Sequence, residues 1–252
     1  LPVLSNGYSL IDTHCHLDFD RFTEDRKQVI KRAKKAGLVW ILNPGIDRET
    51  NLAAIDLAQA YPGFISAAVG FHPNLGKPWT HDLLASLREQ AQNENVVAIG
   101  EIGLDYYRKH TPVAQQQRMF KDQLRLATEY SLPVIIHNRD STRDLMNILS
   151  AWHADLKSSG HPLAQRPGVL HSYSAGFDTA QAAIEMNFFI GISGPVTFNN
   201  APDRKSVTRN LPLEKLLVET DAPFLTPHPH RGKRNEPAYI PLIAEEIARL
   251  HN

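Results

Sequence analysis

Eight short apolar runs recur along the chain, and they constrain its fold more than any other feature of the sequence. They cover residues 9–12, 38–42, 65–69, 96–99, 133–136, 168–170, 188–190 and 216–218. Each run is almost continuously apolar, as expected of strands that are buried on both faces of a sheet. The runs therefore predict a parallel sheet covered by helices.

Segments with helical periodicity separate these runs. They cover residues 25–36, 48–61, 81–92, 112–130, 141–153, 179–186 and 237–250, and a shorter helix is expected at 202–210. Gly37 and Pro62 follow the first two segments and are typical signals for the end of a helix. Eight alternations of strand and helix predict a (β/α)8 TIM barrel, for which about 250 residues is a usual length. We expect one domain over residues 1–252, with its active site at the C-terminal ends of the strands.

An open, doubly wound sheet is the alternative arrangement of alternating strands and helices. That fold normally carries a glycine-rich phosphate-binding loop after its first strand. Here the first run is followed by Thr13, His14, Cys15 and His16, with no glycine among them. The sequence therefore favours the barrel.

Composition excludes several classes of protein. The chain has 27 Lys and Arg against 27 Asp and Glu, which excludes a polycationic nucleic-acid binder but not a local basic face. Its one cysteine, Cys15, cannot form an intrachain disulfide, and this indicates a reducing compartment. No apolar run reaches the ~18 residues that a transmembrane helix requires. We expect a cytoplasmic protein with no membrane anchor and no obligate protein partner.

Polar residues that could carry chemistry lie directly after the predicted strands. They are Asp12, His14, His16, Asn43, His72, Glu101, His137, His171, Glu219 and Asp221. Five of the twelve histidines in the chain belong to this set. Because the carboxyl ends of barrel strands meet at one rim, we expect these side chains to converge there.

The residue types at this rim indicate a metal site. In an extended chain His14 and His16 lie on the same face, and Cys15 points the other way. Imidazoles and carboxylates without a thiolate cluster suit divalent zinc, manganese, iron or nickel. Four histidines and two carboxylates are too many for one tetrahedral ion and suit two ions that share a carboxylate. Such two-metal sites act in phosphoryl transfer.

Seven sequence motifs occur in order along nearly the whole chain. They are IDTHCHLD at 11–18, GFHP at 70–73, AIGEIGLDY at 98–106, PVIIHNR at 133–139, HSYS at 171–174, ETDAPFL at 219–225 and RGKRNEP at 231–237. This set resembles the TatD family of metal-dependent deoxyribonucleases, within the amidohydrolase superfamily.

The resemblance implies a barrel with two divalent metal ions, magnesium, manganese or zinc, and a definite set of ligands. His14, His16 and Asp221 would hold one ion, Glu101 would bridge both, and His137 and His171 would hold the other. Many amidohydrolases use a carboxylated lysine as the bridge. A glutamate at this position fits the TatD branch and argues against relatives of the dihydroorotase and phosphotriesterase type.

The expected activity is hydrolysis of phosphodiester bonds, as a deoxyribonuclease. The resemblance implies 3′–5′ exonuclease action on single-stranded DNA ends, with Asp221 and Glu101 as the catalytic carboxylates. The same metal site also suits an amidohydrolase that acts on an amide, a lactone or an aminoacyl ester. A non-catalytic nucleic-acid-binding or scaffold protein on a decayed barrel should have lost ligands, and all six are present.

Further side chains on this rim are candidates for substrate contacts. His72 precedes Pro73 and could be a metal ligand, a capped loop histidine or a phosphate contact, and we favour the phosphate contact. Basic residues that follow strands could also bind phosphate, namely Arg139, Arg231, Lys233 and Arg234. The alternative for this basic segment is a solvated loop. Glu219 either orients a ligand histidine or forms an internal ion pair, and Asp105 is expected in a loop that shapes the substrate pocket.

Overall fold

The computed structural model describes residues 9–108 and 110–252, and in them eight parallel strands form one sheet in chain order. The strands are β1 (Leu10–Asp12), β2 (Leu38–Pro44), β3 (Ile65–Val69), β4 (Val96–Asp105), β5 (Val134–Arg139), β6 (Gly168–Leu170), β7 (Phe189–Ile192) and β8 (Leu216–Val218). Each strand pairs with the next one along the chain. The predicted (β/α)8 barrel is confirmed.

A helix follows every strand and packs on the outside of the sheet. The helices are α1 (Arg26–Lys35), α2 (Arg48–Ala60), α3 (His81–Gln90), α4 (Val113–Tyr130), α5 (Thr142–Ser158), α6 (Phe177–Glu185), α7 (Pro202–Asn210) and α8 (Ile240–His251). Helix α5 passes the predicted end at His153 because Leu156, in the next turn, is buried in the core. None of the helices in the described ranges is long and apolar enough to cross a lipid bilayer.

The barrel closes between β8 and β1 through the segments that follow these two strands. The backbone N–H of Asp221 donates to the carbonyl oxygen of His14 at 2.8 Å. The N–H of His16 donates to the carbonyl oxygen of Ala222, also at 2.8 Å. The bonds that close the barrel therefore also fix the two histidines against Asp221.

A buried carboxylate, that of Asp12, stabilises this closure. It accepts hydrogen bonds from the backbone N–H of Thr220 at 2.9 Å and from the Thr220 hydroxyl at 2.6 Å. It also accepts one from the backbone N–H of His14 at 3.2 Å. Burial raises the pKa of the Asp12 carboxyl to about 7, and the three hydrogen bonds act in the opposite direction.

Strand β4 is longer than the sequence predicted, because it continues past 99 to Asp105. Gly100 and Gly103 lie in the added part of the strand, where they allow close approach to the neighbouring strand. A Cβ atom on Gly103 would lie 2.1 Å from the carbonyl oxygen of His137, and its φ is +143°. The register against β5 also shifts between Ile99 and Ile102. Such a bulge changes the direction of nearby side chains, and Glu101 lies within it.

Replacing Gly103 with alanine should destabilise the fold, because both the added Cβ and the positive φ are unfavourable. We expect the free energy of unfolding to fall by roughly 2–5 kcal/mol. Gly176→Ala is the matched control, since nothing lies within 4 Å of a Cβ there and its φ is −78°. Urea denaturation measures both variants, and equal midpoints would contradict this account of β4.

Candidate metal centre

The apolar interior of the barrel determines where the polar site begins. One cluster consists of strand residues that fill the inside of the barrel: Leu42, Ala68, Ala98, Ile135 and Val169. Side chains alternate between the two faces of a strand, so residues two apart lie on the same face. His137 lies two residues after Ile135, and His171 lies two residues after Val169. Both histidines therefore lie directly above this apolar interior.

Four ligand-type atoms converge on one point at the end of the barrel. The Nε2 atoms of His14 and His16 are 3.1 Å apart, and each is 3.5 Å from Oε2 of Glu101. Oδ1 of Asp221 lies 3.9 Å from the first nitrogen and 3.8 Å from the second. Around a tetrahedral ion with bonds of about 2.0–2.2 Å, ligand atoms are roughly 3.3–3.6 Å apart. The atoms of His14, His16 and Asp221 all lie within 4.8 Å of one another and could hold one divalent cation, with the Glu101 oxygen beside the two histidine nitrogens.

The protonation states of His14 and Glu101 suit a cation. His16 donates from Nδ1 to the carbonyl oxygen of Pro44 at 3.0 Å, so its Nε2 lone pair points into the cluster. Burial lowers the pKa of His14 well below its usual value, and this keeps the imidazole neutral. Although burial opposes it, the surrounding histidines hold the pKa of Glu101 well below its usual value. Neutral imidazoles and an ionised carboxylate are the forms that bind metal ions.

The second oxygen of Glu101 faces a different group of histidines. Oε1 lies 2.7 Å from Nδ1 of His137, 3.8 Å from Nε2 of His72 and 4.0 Å from Nε2 of His171. Nε2 of His137 in turn lies 3.3 Å from the Asp105 carboxylate. Glu101 thus presents one oxygen to each of two clusters, which is the geometry that a bridging carboxylate requires.

Asp105 was expected in a loop, and that expectation is wrong. It is the last residue of β4 and is buried, because the strand continues past its predicted end at residue 99. Its carboxylate accepts hydrogen bonds from the Asn74 side chain at 2.8 Å and from the backbone N–H of Arg108 at 2.9 Å. Together with His72 and His137 it forms a further group of potential ligands within 4.8 Å of one another.

Glu219 orients His171 from behind. Its Oε1 lies 2.9 Å from Nδ1 of His171, and it also accepts a hydrogen bond from the backbone N–H of Ser172. Gly191 leaves room for this carboxylate, because a Cβ there would lie 2.6 Å from Oε2 of Glu219. Burial alone would lower the pKa of His171, but the Glu219 and Asp221 carboxylates raise it to about 10. The contact is not a well-aligned hydrogen bond, but it places Nδ1 beside Glu219 and leaves Nε2 facing the cluster, 3.7 Å from Oδ1 of Asp221.

His72 presents a hydrogen-bond donor to the site. Its Nδ1 accepts a hydrogen bond from the backbone N–H of Asn74 at 3.1 Å, so the ring proton is on Nε2. Nε2 is the atom that faces Glu101 at 3.8 Å. Burial lowers the pKa of His72 to about 3, so the ring is neutral at physiological pH. A neutral N–H donor in this place can bind an oxygen atom of a substrate.

The predicted phosphate contacts divide into two groups in the structure. Arg139 lies at the end of β5 beside the site, and its guanidinium stacks on the ring of Tyr107 at 3.8 Å. Arg234 instead forms an ion pair with Asp25, with N–O distances of 2.7 and 2.8 Å. This pairing lowers the pKa of the Asp25 carboxyl to about 2. Arg234 therefore neutralises a carboxylate near α1 and is not in the group around the site.

Two further basic residues of the 231–237 segment lie on its exposed surface. Arg231 stacks on the ring of Phe198, with its guanidinium carbon 4.0 Å from the ring centroid. Lys233 is exposed, and its backbone carbonyl accepts a hydrogen bond from the Thr226 hydroxyl at 2.6 Å. Neither residue lines the cavity above the ligand cluster. Their predicted role in phosphate binding stays a prediction.

A cavity of about 730 Å³ opens above the ligand cluster. Ligand-type side chains of the cluster border it: His16, His72, Glu101, Asp105, His137, His171 and Asp221. Cationic side chains on its walls are Arg108, Arg139 and Arg204, and apolar ones are Phe19, Ile46, Leu75, Phe224 and Leu225. A recess with this lining can accept an extended anion with apolar groups attached to it.

The buried histidines and carboxylates at the carboxyl ends of these barrel strands are typical of metal-dependent hydrolases. Residues 11–252 match the family model described as TatD related DNase, and the chain belongs to the TatD family.

Curated relatives and a solved structure agree with this family. The chain is 42% identical to the uncharacterized metal-dependent hydrolase YabD of Bacillus subtilis, covering 96% of this chain and 91% of that protein. It is 35% identical to the 3′-5′ ssDNA/RNA exonuclease TatD of Yersinia pseudotuberculosis, covering 95% and 90%. The crystal structure of YJJV, a TatD homolog from Escherichia coli, superimposes with a TM-score of 0.86 at 32% identity, covering 96% and 90%. The chain is thus a metal-dependent hydrolase of the TatD family.

Glu219→Gln should weaken metal binding, because the His171 ring loses the charge that orients it. We expect the affinity for Zn²⁺ to fall about 10- to 100-fold, as measured by calorimetric titration. Glu245→Gln, at an exposed position on α8, is the matched control and should bind like the wild type. An unchanged affinity in Glu219→Gln would contradict the orienting role.

Proposed function

We propose that this chain hydrolyses phosphodiester bonds and trims single-stranded DNA from its 3′ end. The observation that carries the proposal is the recess of about 730 Å³, which has the ligand cluster at its base and arginines on its walls. A recess of this kind admits a free single-stranded end more readily than an intact duplex. The name of the Yersinia relative, a 3′-5′ ssDNA/RNA exonuclease, supports the polarity.

We assign the metal ligands according to which of the two Glu101 carboxylate oxygens they face. His14, His16 and Asp221 would hold one ion, His137 and His171 would hold the second, and Glu101 would bridge them. Two divalent ions at such a site activate a water molecule for attack on phosphorus and stabilise charge on the phosphoryl oxygens. The imidazole-rich ligand set favours zinc, manganese, iron or nickel over magnesium.

Asp221 is the general base in this proposal. Its side chain is 14% exposed, whereas that of Glu101 is 5% exposed, so Asp221 is the carboxylate that opens toward the cavity. Its backbone has a φ of +56°, a conformation common at functional sites, and its N–H is held by the carbonyl oxygen of His14. From this position Asp221 orients the attacking water and accepts its proton.

His72 and Arg139 are the proposed substrate contacts. The Nε2–H of His72 faces the cluster and can donate to a phosphoryl oxygen as negative charge develops on it. Arg139 lies farther out, on the wall of the cavity, where it can bind a backbone phosphate. The same ligand set also suits hydrolysis of an amide, a lactone or an aminoacyl ester, so these compounds are the comparison substrates.

The test of this proposal uses metal-reconstituted protein and four kinds of substrate: single-stranded DNA, closed circular DNA, amides and esters. Elemental analysis should approach two ions per chain. End-labelled single-stranded DNA should be shortened stepwise from its 3′ end, and a chelator should abolish the activity. Closed circular DNA and the amide and ester compounds should react slowly. Saturation at one ion would contradict the two-ion model, and rapid cleavage of closed circles would contradict the requirement for an end.

Asp221→Asn should separate catalysis from folding. The side chain keeps its size, and asparagine tolerates a positive φ, so the melting temperature should change little. Without the proton acceptor, turnover should fall about 10²- to 10⁴-fold. Asp178→Asn, at an exposed position in the first turn of α6, is the matched control. Near-normal turnover in Asp221→Asn would show that another group accepts the proton.

A further inference from the structure

Arg204 is a half-buried cation on helix α7 that has no carboxylate partner. One of its guanidinium nitrogens, Nη1, donates to the carbonyl oxygen of Tyr173 at 2.9 Å. Across residues 9–108 and 110–252, its guanidinium has no carboxylate oxygen within the 4.0 Å that defines an ion pair. Its neighbour Lys205 is paired with Glu246 at 2.9 Å, and Arg234 is paired with Asp25 at 2.7 Å.

An unpaired cation in such a place is energetically unfavourable. Burial lowers the pKa of the Arg204 guanidinium, and no nearby carboxylate compensates for the lost hydration. One carbonyl oxygen satisfies only one of the five N–H donors that a guanidinium carries. An anion with several acceptor oxygens would satisfy the remaining donors.

The position of Arg204 shows where that anion would lie. Arg204 lines the cavity above the ligand cluster, beside His171, Ser172 and Ser174. Its bond to Tyr173 fixes the guanidinium against the loop that follows β6. Arg204 forms no ion pair with Glu101 or Asp221, although it lines the same cavity as both carboxylates.

We propose that Arg204 binds the phosphate next to the scissile one in the substrate strand. This inference rests on the proposed function and specifies its substrate: a strand with at least two consecutive phosphodiesters. The planar guanidinium can bind two oxygens of one phosphate at once, which suits a group that positions the backbone.

A comparison of two short substrates tests this role directly. The trinucleotide d(TpTpT) contains a neighbouring phosphate, whereas the dinucleotide d(TpT) contains only the scissile one. Arg204→Met should lower kcat/KM for the trinucleotide about 10- to 100-fold and leave that for the dinucleotide nearly unchanged. Arg204→Lys, which keeps the charge, should recover part of the loss. Arg209→Met, at an exposed position on the same helix, is the matched control.

A neutral substrate analogue tests the same contact without any change in the protein. A methylphosphonate at the neighbouring linkage of the trinucleotide removes that negative charge. It should lower kcat/KM of the wild type by as much as Arg204→Met does, and it should cause no further loss in the variant.

The possible outcomes separate this inference from the proposed function. Additive losses, equal losses on both substrates, or no loss in Arg204→Met would overturn the role of Arg204 while cleavage of DNA still stands. If the wild type cleaves neither substrate, the proposed function itself fails. If Arg204→Met folds poorly, two measurements remain: the effect of the methylphosphonate on the wild type, and the kcat/KM of Arg204→Lys. In that case, a wild type whose kcat/KM is not lowered by the methylphosphonate would overturn the proposal.

Discussion

The carboxylate of Glu101 lies between two groups of histidines, and the other features of the site depend on its position. It is 5% exposed, and its two oxygens face different groups, with the imidazole of His137 at 2.7 Å. A buried carboxylate is tolerated only when positive charge or hydrogen bonds compensate for the lost hydration. The bulge in β4 and the glycines beside it place this carboxylate. They bring the backbone of β4 close to β5 and direct the Glu101 side chain into the barrel.

The same part of the molecule closes the barrel and forms the site. Asp12 bonds to Thr220, and through these bonds the segment after β8 is fixed against the segment after β1. Asp221 and His14 lie within that junction and are joined by a backbone hydrogen bond of 2.8 Å. The precision of the cluster is therefore a consequence of the closure of the sheet, because each ligand projects from a strand end whose neighbours are already paired.

Although the net charge of the chain is zero, its arginines are distributed unevenly between the outside of the barrel and the cavity. Some arginines are neutralised in ion pairs on the outside of the barrel, as Arg32 is with Glu236 at 2.6 Å and Arg234 is with Asp25. Others, including Arg139 and Arg204, line the cavity above the cluster. Positive charge next to a recess attracts anions over a short range even when the whole molecule is neutral. This arrangement supports a polyanionic substrate for the proposed activity.

Local patterns in the sequence determined the barrel and gathered the ligands at one rim. Buried strands are apolar runs, and the polar residue after each run must lie at the same end of a parallel barrel, so these features needed no knowledge of distant contacts. The tertiary structure alone decided the length of β4 and the positions of the arginines. Gly103 lets β4 approach the backbone carbonyl of His137 on another strand, and Arg234 meets Asp25 across 209 residues. Such partners are set by packing between distant segments, and no local periodicity encodes them.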